Sequence, residues 1–305
     1  MPDGGALVEV TVRTFQSRML LRPSHALNEI VLGVLGQAQQ RYSVVCCAVV
    51  FMSNHWHALL QVRDSLQLAR FMQFCNSNLA DEVDRLVGWP NGIWAGRYHS
   101  IPVSDEEEAQ VGRLKYLLAH GVKEGLVGRV TEWPGVHFAK AILEGKSLKG
   151  YWFSRTQEYA ANNRGEEFGR LEYATEEELV LSPLPCWSDL PQQEYRERVA
   201  ALAEEIEAEG RAERERRGLE PLGVRAILRQ SPHTRPNHAK RSSMPRFHAV
   251  AREVREIFWL MYSSFVAAFR DAAEDLRTGN LSAKFPVGSF PPGLPFVRGH
   301  PALPP

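Results

Sequence analysis

His55 and His57 stand one residue apart in FMSNHWHALL, a stretch that is otherwise nearly all apolar. On a strand, that spacing sends both imidazoles to one face, with Gln61 farther along it and Trp56, Ala58 and Leu60 opposite. Two imidazoles so placed can bind one divalent ion; they could equally be two partly satisfied polar side chains near a sheet rim. A third ligand would favour the metal. The candidate lies in RLKYLLAHGVKEGLV, residues 113–127, where Tyr116 and His120 are four apart and so neighbours on one helix face. A phenol beside a metal-binding group suits phosphoryl chemistry, because the cation neutralises charge on a phosphate while the hydroxyl attacks. The plainer alternative is a buried tyrosine with its hydroxyl bonded and a helix-end histidine favoured by the dipole.

The elements that must position these groups follow from periodicity. Leu7 to Phe15 alternates as a strand, and Ser24 offers a cap to a helix carrying Leu27, Ile30, Val31, Val34 and Leu35 on one side. SVVCCAVVFM and HWHALLQV are two strands joined by a turn at Ser53-Asn54. Ser65 could cap a second helix to about Leu86, which GWPNG ends. IWAGRYHSIPV reads as a strand and SDEEEAQVGRLKYLLAHG as a helix capped by Ser104. Strand, helix, strand, strand, helix, strand, helix is an α+β order. It predicts a ferredoxin-like (RRM-like) antiparallel sheet with helices on its faces over residues 1–130, followed by a mostly helical C-terminal extension.

With 305 residues the chain can bury a sizeable core and carry an appendage, and its 44% hydrophobic and 24% charged residues are those of an ordinary globular protein. Its formal net charge is zero, so whole-chain electrostatics nominate no partner. No apolar run approaches the ~18 residues of a membrane span and the start lacks a basic-then-apolar leader, so the expected location is cytoplasmic, with no membrane partner. Cys46, Cys47, Cys75 and Cys186 lack C-x-x-C spacing and read as reduced thiols.

Residues 131–220 form an expected second unit, a helical extension ending in the charge-dense helix QQEYRERVAALAEEIEAEGRAERERRG, which reads as solvated and bridging. Residues 221–305 form a third. From Pro221 to Arg252 it holds seven Lys and Arg and no Asp or Glu. Then comes a helix from Glu253 to about Leu276 whose Phe258, Trp259, Tyr262, Phe265 and Phe269 read as core, and a Pro/Gly-rich extended tail.

MSNHWHALL resembles the His-hydrophobe-His motif, usually M-P-N-H-x-H-hydrophobe, of the HUH single-tyrosine transposases, and more narrowly that of the REP-associated tyrosine transposases of the insertion sequence 200-like group. IWAGRYHSIPV is similar to that family's W-x-x-R-[FY]-x-S segment, and YLLAHGVKEGLV to its Y-I-x-x-N-P-V-[RK]-A-G-L-V helix. The three motifs fall in order within about 75 residues, and the resemblance covers roughly residues 7–130.

The resemblance implies a metal-dependent endonuclease that acts on single-stranded or hairpin DNA, with Mg²⁺ or Mn²⁺ as cofactor. It puts His55 and His57 on the metal ligands and Tyr116 on the nucleophile that forms a 5′-phosphotyrosine bond. His120 falls where the family carries Asn or Gln as a further ligand, and Lys123 where a basic residue is usual. A nucleoid-associated location and a homodimer that trades tyrosine helices are compatible with it. Two departures stand out: Asn-Pro has become His120-Gly121, and the Pro before Asn-His has become Ser53. Three imidazoles lean toward Mn²⁺ or heavier ions, and would also suit a zinc hydrolase.

Arg97 and Tyr98, beside the proposed site, could clamp phosphate or stack a base, the alternative being a core tyrosine. In the basic segment, Arg225 and Arg229 on GVRAILRQ with Lys240 and Arg241 could form a helix-turn-helix-like DNA-binding appendage; the alternative is a solvated loop. A domesticated, non-catalytic binder of DNA repeats is the competing function.

Overall fold

In the computed structural model, which describes residues 5–236 and 245–293, strand β1 (Ala6–Arg13) lies inside a four-stranded antiparallel sheet. Helix α1 (His25–Tyr42) opens on Ser24, whose side chain accepts from the Leu27 N–H at 3.1 Å. Strands β2 (Val45–Phe51) and β3 (His55–Val62) form a hairpin over the Ser53-Asn54 turn. Helix α2 (Ser65–Val87) is capped by Asp64 rather than Ser65, with the Gln67 N–H donating to Asp64 Oδ1 at 2.7 Å. Strand β4 (His99–Val103) and helix α3 (Glu107–Leu118) complete the expected α+β order, with sheet order β2-β3-β1-β4.

Alternation gives the sheet two different faces. Val8, Val10, Val12, Trp56, Ala58, Leu60 and Val62 pack with α1 and α2. Leu7 and Leu59 point the other way, toward α3. Glu9, Thr11, His55 and His57 share that second face, and the register sets Thr11 opposite His57 and Arg13 opposite His55.

Two local expectations are corrected. IWAGRYHSIPV is strand only from His99; before it, Trp94 makes a single bridge to Thr14, since the Gly-containing stretch favours turns. Helix α3 starts after Glu106, and Ser104 instead donates its hydroxyl to the Glu106 carboxylate at 2.6 Å.

Past residue 130, helix α4 (Ala139–Glu144), strand β5 (Lys149–Phe153), helix α5 (Arg155–Asn163) and strand β6 (Ala174–Glu178) pack back on the first unit. Strands β5 and β6 pair, and β5 meets α1 backbone to backbone: a Cβ on Gly33 would lie 2.0 Å from the Tyr151 carbonyl carbon. The charge-dense helix is α6 (Gln192–Arg217), and it is not a solvated bridge. Tyr195, Val199, Ala203 and Ile206 form a narrow apolar stripe buried in the same core as Leu117 and Trp133.

Helix α7 (Val224–Arg229) is the only helix described between residues 221 and 251, so no helix-turn-helix forms among the described residues there. Helix α8 (Arg252–Arg277) also departs from expectation, with Trp259 57% and Leu260 67% exposed and only Ala272 and Leu276 buried. Cys46, Cys47 and Cys75 are buried free thiols and Cys186 is half-buried. No described helix is long and apolar enough to cross a membrane.

Candidate functional site

Three imidazoles converge on the α3 side of the sheet. His55 and His57 come from one face of β3, and His120 from the end of α3, with their ring nitrogens within 4.8 Å of one another. The helix end explains the third position. The His120 N–H turns to the Leu117 carbonyl, which leaves the Tyr116 carbonyl to accept from His120 Nδ1 at 3.0 Å. Gly121 then takes φ +92°, a conformation closed to proline, so the change from Asn-Pro to His120-Gly121 alters the backbone as well as the ligand.

Each Nδ1 has its own acceptor. His55 Nδ1 meets Asn54 Oδ1 at 2.6 Å, and that amide is oriented by its own Nδ2 donating to the Ser17 carbonyl. His57 Nδ1 lies between Thr11 Oγ1 at 2.8 Å and Glu9 Oε1 at 3.1 Å. With the three Nδ1–H groups donating in this way, the Nε2 lone pairs are left free, the arrangement usual for imidazoles that hold a metal. Burial, with His57 nearby, pushes His120 down to about 3 and His55 well below its usual value, so both rings are neutral near pH 7. The donor set therefore fits a divalent ion.

Glu9 sits beneath this cluster, buried against His57 Nδ1, Arg113 Nε at 2.9 Å and His248 Nε2 at 3.1 Å. Burial alone would raise its carboxyl, but hydrogen bonds from His248 and His57 and the Arg113 charge outweigh it and hold the group well below the usual carboxylate range. Arg113 also lies over the Tyr116 ring, 4.1 Å from its centroid, with Lys123 Nζ at 5.3 Å. Tyr116 is half-buried, with its ring centroid 4.9 Å from that of His120 and 5.8 Å from that of His57. Burial and the Glu9 charge raise its phenol, Arg113 opposing, so it stays protonated at neutral pH.

A family model described as "Transposase IS200 like" matches residues 12–116, from β1 to the tyrosine itself. Over that stretch the chain is similar to the IS200-like transposases. Among solved structures, the chain is similar to a REP-associated tyrosine transposase bound to a REP hairpin, at 17% identity over 43% of this chain and 76% of that one, with a TM-score of 0.34. It is also similar to a Deinococcus radiodurans R1 protein provisionally assigned as a transposase, at 15% identity over 37% of this chain and 95% of that one, with a TM-score of 0.29. No curated protein matches the sequence.

Around the matched segment, the other expected residues are dispersed. Arg97 is exposed, its guanidinium 4.5 Å from the Phe290 ring centroid, and Tyr98 meets the same ring edge-on at 6.2 Å. Arg225 and Arg229 are exposed on α7, which the Leu222 and Gly223 N–H groups tie to the carbonyls of Gly125 and Leu126 just after the tyrosine helix. Lys240 and Arg241 lie outside the described residues.

Sequence reasoning passed over Glu9, Arg113 and His248. The first two carried a signal. Glu9 is an inward-facing carboxylate in an alternating strand, and Arg113 stands three residues before Tyr116 on its helix. His248 carried none.

Proposed function

We propose that this transposase-like chain cleaves and transfers single-stranded, hairpin-forming DNA through a 5′-phosphotyrosine bond at Tyr116, with Mn²⁺ or Mg²⁺ held by His55, His57 and His120. One observation carries the reading: a half-buried phenol and three imidazoles with free Nε2 lone pairs meet on one face of the sheet. The ion would neutralise charge on the scissile phosphate.

Tyr116 Oη forms a bond to phosphorus as the bond from phosphorus to the 3′-oxygen breaks. The electron pair leaves with that oxygen, which ends as a hydroxyl carrying the proton the phenol gives up. Attack by a 3′-hydroxyl on the phosphotyrosine reverses these events and restores Tyr116. Because the phenol is raised, its proton leaves late, and the Arg113 guanidinium over the ring favours the charge that develops there. Lys123 and Arg97 are assigned to the phosphates near the cut. Arg225 and Arg229, with Lys240 and Arg241, are assigned to salt-sensitive, sequence-independent backbone contacts. Three imidazoles favour Mn²⁺ over Mg²⁺.

The test is incubation of the purified protein with Mn²⁺ and 3′-labelled hairpin DNA from its genomic flanks, read on a denaturing gel beside Tyr116→Phe. The expected result is a labelled protein band that the variant lacks, with cleavage reduced at least about 10³-fold. Cleavage by Tyr116→Phe at the wild-type rate would reject the phosphotyrosine. A native-gel shift with no cleavage by either protein would leave a non-catalytic repeat binder.

A further inference from the structure

Residues 245–251, far beyond the family match, return to the site. The His248 N–H donates to the Pro102 carbonyl at 2.9 Å and the Ser104 N–H to the His248 carbonyl at 2.8 Å, so this short segment lies along the edge of β4. The Glu106 carboxylate fixes its other end, accepting from the Val250 N–H at 2.9 Å and the Ala251 N–H at 2.7 Å. Four backbone contacts thus aim one side chain. Its Nε2 reaches Glu9 Oε2 across 239 positions of sequence.

Glu9 needs that contact for a geometric reason. Its Oε1 takes the Nδ1–H of His57, while Oε2 faces both Arg113 and His248. Arg113 Nε is close enough for an ion pair but is not aligned as a hydrogen-bond donor, so among the described residues His248 supplies the one aligned hydrogen bond to Oε2. Without His248, Oε2 would keep only the unaligned Arg113 ion pair, and a carboxylate so loosely held can rotate and carry the His57 ring and the Arg113 guanidinium with it.

We infer that His248 is a positioning residue: through Glu9 it fixes the orientation of the proposed metal ligand His57 and of Arg113 over Tyr116. The C-terminal extension is on this view a structural part of the site. The inference rests on the metal reading proposed above.

The test measures Mn²⁺ binding to the full chain by calorimetry, with thermal melts in EDTA, for wild type, His248→Leu and His248→Gln. The leucine fills the space without a donor, whereas the glutamine amide nitrogen can stand where Nε2 stood. The leucine variant should bind Mn²⁺ about tenfold or more weakly, and the glutamine variant should recover most of the affinity. If the leucine variant does not fold, His248→Asn, whose amide is too short to reach Glu9, takes its place. Equal Mn²⁺ affinity in wild type and the donor-less variant would overturn the positioning role. So would a glutamine variant as weak as leucine. A wild-type chain that binds no Mn²⁺ would instead remove the metal reading itself, and the inference with it.

Discussion

His137 is buried one residue from Phe138, on whose ring its own is stacked, and it accepts at Nδ1 from the Ala139 N–H while its Nε2 has no partner among the described residues. Burial, with Lys140 nearby, pushes it down to about 3, the same level as His120. A histidine depressed on folding binds its proton first in the unfolded chain. Stability is therefore full above about pH 6.5 and falls as pH drops from there toward 3, by roughly 1.4 kcal/mol per pH unit for each such ring. With EDTA present, urea denaturation should show a loss of about 2 kcal/mol per ring between pH 6.5 and 5. His137→Gln should flatten that slope; an unchanged slope would show that His137 is not protonated differently in the two states. Glu9 supports a second prediction. Glu9→Gln keeps the shape but removes the charge that draws the Nδ1–H of His57, so Mn²⁺ affinity should fall about 10- to 100-fold, and calorimetric titration would read it. Wild-type affinity in that variant would mean that the carboxylate is a structural ion-pair partner only. Spacing on a strand and on a helix makes His55 a neighbour of His57 and Tyr116 a neighbour of His120, while the meeting of the two pairs is what the resemblance to the family implies. His248 was not legible, because nothing local marks a residue whose partner lies 239 positions away.

At the level of elements, period-two and period-3.6 patterns located β1, α1, β2, β3 and α2 because each has one face in a continuous core. What they misjudged was ends and exposure. Asp64 displaced Ser65 as cap because its carboxylate reaches the Gln67 N–H, and β4 lost its first half to a Gly-containing turn. Helix α6 hides an apolar stripe under its charges, whereas none of the expected core aromatics of α8 is buried. A periodic pattern shows that a helix has an apolar side, not that something covers it. One packing contact was not legible at all. Gly33 and Gly150 let α1 and β5 touch at the backbone, and a Cβ at either position would fall within 2.0 Å of the opposite main chain. Gly33→Ala must part helix from strand and should cost about 3 kcal/mol, checked as a shift in the urea midpoint at constant slope. An unshifted midpoint would mean that β5 can lift off α1 without loss.

The molecule as a whole does not divide where the family match ends. The face of the sheet that carries the histidines continues into a core of Cys47, Val50, Leu59 and Leu117, and that core is closed by Trp133, Phe138, Leu184, Tyr195, Val199 and Ile206. All six closing residues lie beyond position 130. Trp133 also donates its indole N–H to the Phe51 carbonyl at 2.8 Å, filling a main-chain acceptor at the end of β2 next to the hairpin turn that leads to His55. A fragment of residues 1–130 would hold every residue of the proposed triad and Tyr116, yet leave the side of its sheet that α3 only partly covers open to water. Burying a large side chain contributes about 1.5–3 kcal/mol, so losing the cover that six such side chains give is comparable to the whole ~5–15 kcal/mol of a typical domain. That fragment should be insoluble or lack a cooperative melt. The check is thermal denaturation by circular dichroism beside the full chain, with Mn²⁺ titration of whatever remains soluble. A cooperative transition with wild-type Mn²⁺ affinity in residues 1–130 would show that the extension merely decorates a self-sufficient unit. Loss of both would show that the residues after 130 carry part of the fold on which the candidate site stands.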